Sequence, residues 1–291
     1  MPGGRVIRAY SNVYYVDTGD EVLECRPRGR LKLRDTRVLV GDLVRVSQAG
    51  PGLGAIDEVL PRRNALARPQ VANVDQAVIV LAVHEPELEL LLADRFLVLA
   101  AAAELEAILC LNKVDLACPG EVGPVVKVYE DAGYLVVATS AKTGEGLAAL
   151  RSALARKVSV LAGPSGVGKS SLLNALNPDL RLRTGEVSRK VRRGTHTTRH
   201  VALVPVGSGG LVADTPGFTQ LELDGIPPQD IAWFFPEIAA LAPRCKFRGC
   251  AHRAEPECRV KEGVAEGLVD GGRYARYLEL VREAEATYRA Y

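Results

Sequence analysis

Through the first 65 residues the apolar side chains come in short runs broken by polar turns. Val13-Tyr14-Tyr15-Val16, Val22-Leu23-Glu24-Cys25, Val38-Leu39-Val40 and Leu43-Val44-Arg45-Val46 are separated by Gly, Asp, Pro and Arg. Short β-prone runs at close spacing predict a small β-barrel. The pattern then changes. Ala77 to Ala82 is continuously apolar, as a strand buried on both faces requires. Leu88 to Leu105 is Leu/Ala-rich and lacks Pro and Gly, which predicts a helix. Ala107–Leu111, Tyr134–Ala138 and Val158–Leu161 repeat the apolar run. Strands alternating with helices predict a doubly wound α/β domain. Beyond about residue 230 come helical pieces and a cysteine cluster, and Gly272 to Tyr291 reads as an amphipathic helix with Tyr274, Tyr277, Leu278 and Val281 on one face. The expected organisation is multidomain: a barrel over 1–65, an α/β domain over 66–230 and a helical domain over 231–291.

A chain of 291 residues exceeds one ordinary domain. With 47% apolar but only 5% aromatic residues, its cores must be mostly Val, Leu and Ala. A formal charge of +2 says nothing about partners, so local clustering decides. Residues 1–70 carry twelve Arg/Lys against eight Asp/Glu, with Tyr10, Tyr14 and Tyr15 nearby. Basic side chains beside aromatic faces suit single-stranded or looped nucleic acid, and an ordinary solvated β-domain surface fits equally. No apolar run reaches the roughly 20 residues of a membrane span, and the N-terminus lacks a signal-peptide pattern, so a cytoplasmic protein is expected. Cys25, Cys110 and Cys118 stand singly, and the other three of the six cysteines crowd near the C-terminus. That is reduced cysteine plus a metal site, not a disulfide framework.

Gly163-Pro164-Ser165-Gly166-Val167-Gly168-Lys169-Ser170 follows an apolar run and precedes a helix-like one, Ser171 to Leu176. This is P-loop spacing in P-loop context. Glycines let backbone N–H groups turn toward phosphate oxygens, and the helix N-terminus adds a positive field. Lys169 would reach the β- and γ-phosphates, and the Ser170 hydroxyl would hold Mg²⁺. Downstream, Leu211-Val212-Ala213-Asp214-Thr215-Pro216-Gly217 is an apolar run ending in a second metal-anchoring Asp, Asp214, with the Gly217 N–H available to a γ-phosphate.

Asn112-Lys113-Val114-Asp115 is similar to the guanine-specificity motif of GTPases, and Thr139-Ser140-Ala141-Lys142 to their supporting base loop. A carboxylate at Asp115 accepts two hydrogen bonds from guanine, a donor pair adenine lacks. The base-reading segments precede the P-loop, the reverse of ordinary GTPases, so the chain resembles a circularly permuted one. The segment 214–218 then leads straight into the C-terminal domain, where a nucleotide-driven shift would act as a lever. Cys245, Cys250, His252 and Cys258 follow the spacing Cys-x4-Cys-x-His-x5-Cys. Three thiolates and an imidazole suit a closed, structural Zn²⁺ site. Lys246, Arg248 and Arg253 among them offer a basic surface to RNA.

Barrel, permuted core and Cys3His cluster together resemble the ribosome small-subunit-dependent GTPase family RsgA, also called YjeQ. Arg63-Asn64, Arg68-Pro69, Ala72 to Gln76 and Gly194 to His200 agree with it. The resemblance implies an OB-fold barrel and a GTP hydrolase (a phosphoric anhydride hydrolase) that binds the small ribosomal subunit and its rRNA. It further implies stimulation by that subunit, a role in late subunit maturation, and action as a monomer away from membranes. Gly194–His200 takes the place of the first switch loop, where Thr197 or Thr198 would coordinate Mg²⁺. Seven basic residues and one acidic residue lie within 181–200, a solvated loop or one ordered by rRNA phosphates. Phe218 stands where many GTPases carry a water-orienting Gln, so slow unaided hydrolysis is expected. His196 is the candidate substitute, beside Lys169 in the catalytic set. Competing readings are a placeholder whose occupancy matters more than turnover, a permuted GTPase acting on the large subunit, and an ATPase or small-molecule kinase.

Overall fold

The computed structural model describes residues 3–29, 37–67, 69–180, 201–214, 223 and 225–288. The strands are β1 (Gly3–Tyr10), β2 (Val13–Asp17), β3 (Val22–Pro27), β4 (Leu43–Gly50), β5 (Leu53–Val59), β6 (Ala65–Leu66), β7 (Val71–Ala72), β8 (Gln76–Ala82), β9 (Glu106–Asn112), β10 (Leu135–Ala138), β11 (Val158–Ala162), β12 (Ala202–Pro205) and β13 (Leu211–Asp214). The α-helices are α1 (Leu90–Ala102), α2 (Val122–Asp131), α3 (Leu147–Leu154), α4 (Lys169–Leu176), α5 (Pro236–Leu241), α6 (Arg259–Ala265) and α7 (Gly271–Tyr288). They form two compact units. One takes Met1–Gln76, Ala148–Leu161 and Ser170–Thr219; the other takes Ala77–Leu147, Ala162–Lys169 and Gln220–Tyr291.

In the first unit β1, β2, β3, β5 and β4 hydrogen-bond in that order, and β4 returns to β1, closing a five-stranded barrel of OB type. Closure removes the exposed edges an open sheet would present. Val6, Val16, Leu23, Cys25, Val44, Val46 and Ile56 fill its interior, each at most 3% exposed. Two expectations fail here. Val38–Val40 is not a strand: only Val40 makes an isolated bridge, to Val71. Tyr14 is turned into the barrel and buried, so it offers no stacking face, whereas Tyr15 lies on the surface beneath the Arg8 guanidinium. Outside the barrel, β12 pairs with β1 and β13, and β13 runs parallel to β11.

The chain leaving the barrel is pinned by its own amides. Asn64 bonds both backbone groups of Val74, at 2.9 and 2.8 Å. Asn73 accepts the Arg63 N–H at 2.9 Å and donates to the Gly41 carbonyl at 3.1 Å. Asp75 takes the Arg63 guanidinium at 2.6 Å and the Val158 N–H at 2.7 Å, at the start of the strand that leads to the P-loop. Arg68 lies outside the described residues.

The second unit holds β10, β9 and β8 in that order, with β10 and β9 parallel in the register Ala138↔Leu111. Every residue of β8 is buried. Helix α1 covers less than the expected 88–105, ending at Ala102. It packs against α7 and the 3-10 helix Pro228–Phe234. Val98, Ile231, Phe235, Ile238, Val260, Tyr277 and Leu280 share one core. On α7, Tyr277 and Val281 are buried as expected and Tyr274 and Leu278 half-buried, but the helix also buries Arg273.

Candidate nucleotide site and metal knuckle

The P-loop leaves β11 and opens α4. Its glycines are dictated by close approach. At Gly163 (φ +138°) a Cβ would lie 2.1 Å from the Val80 carbonyl oxygen, and at Gly168 (φ +98°) 2.4 Å from Asn112 Nδ2. Val167 is fully buried. The Lys169 ammonium donates to the carbonyls of Gly163 at 2.8 Å and Pro164 at 2.7 Å, so it curls over the loop that carries it. Burial pushes its pKa down. Pro164, Ser165 and Gly166 complete the loop.

Asn112 ends β9 and is buried. Its Nδ2 donates to the Val167 carbonyl at 2.8 Å, while its Oδ1 accepts the Thr139 hydroxyl at 3.2 Å and the Ala141 N–H at 3.3 Å. One side chain thereby ties the P-loop to the loop after β10. Lys113 sits in the left-handed region (φ 63°), and its ammonium donates to the Glu85 carbonyl. The Val114 N–H donates to the Thr139 carbonyl at 3.2 Å. The Asp115 carboxylate accepts the Ser140 hydroxyl at 2.6 Å, with the Lys142 ammonium 3.7 Å away. The Ser140 bond, then Lys142, hold the Asp115 pKa below its ordinary value. The predicted residues 112–115, 140–142 and 163–169 therefore all lie in one unit, with direct bonds between the segments.

Ser170, Ser171 and Asp214 belong to the other unit. The two serines stand in the first turn of α4, and Asp214 is the last residue of β13, where burial pushes its carboxyl pKa up. Gly217, Phe218, the stretch Gly194–His200 with His196, Thr197 and Thr198, and the whole basic segment 181–200 lie outside the described residues. One contributor escaped the sequence reading: Glu85, whose part is played by its carbonyl and leaves no side-chain signature; Thr139, already placed in the base loop, adds a hydroxyl that orients Asn112.

The four knuckle residues do converge. Their donor atoms lie within 4.8 Å of one another. His252 Nδ1 stands 3.5 Å from the sulfurs of both Cys245 and Cys258, which are 3.9 Å apart. Tetrahedral zinc with Zn–S near 2.3 Å and Zn–N near 2.0 Å implies edges of about 3.5 and 3.8 Å, so the donor set fits that ion. The backbone is braced from outside: the Tyr274 hydroxyl donates to the His252 carbonyl at 2.5 Å, Tyr277 to Ala251 at 3.1 Å, and Glu255 accepts the N–H groups of Ala251 and Arg253. The basic surface is smaller than the sequence implied. Lys246 pairs with Glu257 and Arg253 with Glu285, which leaves Arg248 as the uncompensated charge of the three among the described residues.

Among the described residues no helix is long and apolar enough to cross a membrane. Residues 3–56 match the RsgA N-terminal domain and residues 59–224 the RsgA GTPase. Over 282 residues the chain is 46% identical to the small ribosomal subunit biogenesis GTPase RsgA of Caldanaerobacter subterraneus subsp. tengcongensis, covering 97% of this chain and 95% of that protein. It is likewise 46% identical to the RsgA of Moorella thermoacetica over 288 residues, 99% of each. The crystal structure of YjeQ from Thermotoga maritima superimposes with a TM-score of 0.84 at 39% identity, covering 97% of this chain and 98% of that one. YloQ, described as a circularly permuted GTPase, gives 0.84 and 39% over 98% and 96%. Guanine motif before P-loop, closed barrel and Cys3His knuckle agree with these matches, and the chain belongs to the RsgA GTPase family.

Proposed function

We propose that this GTPase binds the small ribosomal subunit during late maturation and hydrolyses GTP when that subunit engages it. The observation that carries the reading is the pairing of Ser140-held Asp115 with a P-loop tied to it through Asn112, in a chain whose relatives bear the name of small-subunit biogenesis. Asp115 accepts the guanine edge, Lys113 and Ala141 flank the base, and Lys142 steadies the carboxylate. The N–H groups of 164–169 and the Lys169 ammonium, released from the Gly163 and Pro164 carbonyls, take the phosphates. Mg²⁺ would be held by Ser170, Asp214 and Thr197 or Thr198, and when bound it supplies charge neutralisation between the phosphates. His196 orients the attacking water in place of the Gln that Phe218 replaces. Unchanged subunit-stimulated turnover in His196→Ala removes it from the mechanism.

One Zn²⁺ on Cys245, Cys250, His252 and Cys258 is structural, since four protein ligands leave no open position. The protein works in the cytoplasm as a monomer, with domains at 1–65, 66–230 and 231–291. Contact with rRNA falls to the barrel surface around Arg8 and Tyr15, and to the knuckle, where the exposed rings of Trp233 and Phe247 and Arg248 line a cavity of about 530 Å³. Exposed aromatics beside an unpaired guanidinium suit unstacked bases. The test is GTP turnover with small subunits, large subunits and neither. Stimulation by small subunits alone is expected; equal stimulation by both, or none, refutes the reading.

A further inference from the structure

The least expected feature of the second unit is a charged cluster inside its core. Arg273 on α7 is 1% exposed. Its guanidinium meets Asp94 of α1 at 2.6 Å and Glu237 of α5 at 2.5 and 3.2 Å. Asp94 also takes the Arg276 guanidinium at 2.5 Å and the Tyr129 hydroxyl at 2.8 Å. The Arg273 guanidinium carbon sits among three rings, with centroids at 4.8 Å (Phe235), 5.0 Å (Tyr129) and 5.4 Å (Tyr134).

Apolar residues of the same volume generally stabilise a core as well as a buried ion cluster does, or better. A fixed fork stacked on rings instead imposes direction. The rings it fixes are informative. Tyr129 is in α2, the helix that follows the Val114–Leu116 turn carrying Asp115. Tyr134 precedes β10, the four-residue strand that ends at Ala138 and delivers Ser140. The two tyrosines close the turn between these elements, where the Tyr134 N–H donates to the Tyr129 carbonyl at 3.0 Å. Four strand residues span only about 13 Å. Whatever sets the position of that turn sets how Ser140 meets Asp115.

We propose that Arg273 is a positioning residue for guanine recognition: from the C-terminal helix it clamps Tyr129 and Tyr134, and so holds the Ser140–Asp115 pair in register for the base. This rests on the reading that Asp115 receives guanine. The helix that braces the metal knuckle through Tyr274 and Tyr277 then also sets the base-reading loop, so both depend on one helix.

The test compares the affinities of GDP and IDP, which lacks only the 2-amino group, for the full-length, zinc-loaded protein. The wild-type protein is expected to prefer GDP by roughly ten- to a hundredfold, the worth of one hydrogen bond to a charged group. Arg273→Lys keeps the charge but loses the planar fork, and its GDP preference falls at least about threefold while zinc content holds. Arg276→Ala removes a partner of Asp94 whose guanidinium is not stacked on the rings as Arg273 is; it lowers Tm and leaves the preference intact. Tyr134→Leu reproduces the Arg273→Lys effect and carries the test if that variant does not fold. An unchanged GDP/IDP ratio in Arg273→Lys or Tyr134→Leu overturns the proposal. So does parallel loss of both nucleotides with release of zinc, which marks a residue of the fold alone. A wild-type protein that fails to distinguish GDP from IDP instead overturns the guanine reading of Asp115 itself.

Discussion

Replacing Asn112 by Asp changes one group and almost no volume. The amide nitrogen that donates to the Val167 carbonyl at 2.8 Å becomes an oxygen facing that carbonyl, at a residue 1% exposed. A buried carboxyl with an acceptor opposite it resists ionising, and such groups rise by up to about 3–5 pH units. Taking a rise of about 3 from an ordinary value near 3.9 puts the folded pKa near 7, at about 1.4 kcal/mol per unit. The sign follows from the raised value. Below about pH 4 both states are protonated, and the new O–H donates to Val167 much as the amide did. As pH rises the unfolded chain ionises first, so the penalty grows to about 4 kcal/mol above pH 7. Between pH 5 and 8 the difference is about 2.5 kcal/mol, or roughly 5–10 °C in Tm for a chain of this size. Thermal unfolding of wild type and Asn112→Asp at both pH values reads it directly, with GDP affinity following the same trend. An equal Tm offset at pH 5 and pH 8 would mean that the Asn112 tie to the P-loop is not a donor bond in a dry site.

Gly168→Ala drives a Cβ to 2.4 Å from Asn112 Nδ2 at φ +98°, so GDP binding by calorimetry weakens more than about tenfold with an unchanged far-UV spectrum; a twofold effect contradicts the geometry. Purified protein contains one zinc per chain, chelation lowers Tm and added zinc restores it; protein that purifies without zinc and is as stable refutes the knuckle. The Asp115 carboxylate, held low chiefly by Ser140, contributes above its ordinary value of 3.8 and is lost only as pH falls through the lowered folded value. Wild-type GDP affinity is therefore flat down to about pH 5, whereas Ser140→Ala starts to lose affinity at a higher pH than wild type. Superimposable pH profiles contradict that role.

What was legible in the sequence is what local chemistry demands. The P-loop glycines, the Asn112–Asp115 tetrapeptide and the Cys3His spacing each perform their chemistry within a few residues of backbone, so spacing alone exposes them. The barrel was legible as a class but not strand by strand. β1 and β5 break their apolar residues with Gly and charged pairs instead of alternating them, and they are strands because closure pairs them on both sides. Val38–Val40 has the stronger β-pattern yet makes only one bridge, to Val71 outside the barrel. Tyr14 counted toward a nucleic-acid surface because a strand's inward parity is set by its partners, not by its composition. Arg273 is the limiting case. On an amphipathic helix an arginine reads as solvated, and only Asp94 and Glu237, 179 and 36 residues away in the chain, together with three rings from other elements, make it a core residue. A charge that is buried only because distant charges await it has no local signature. The part of the site most open to surprise is therefore the support behind the base-reading loop, not the loop itself.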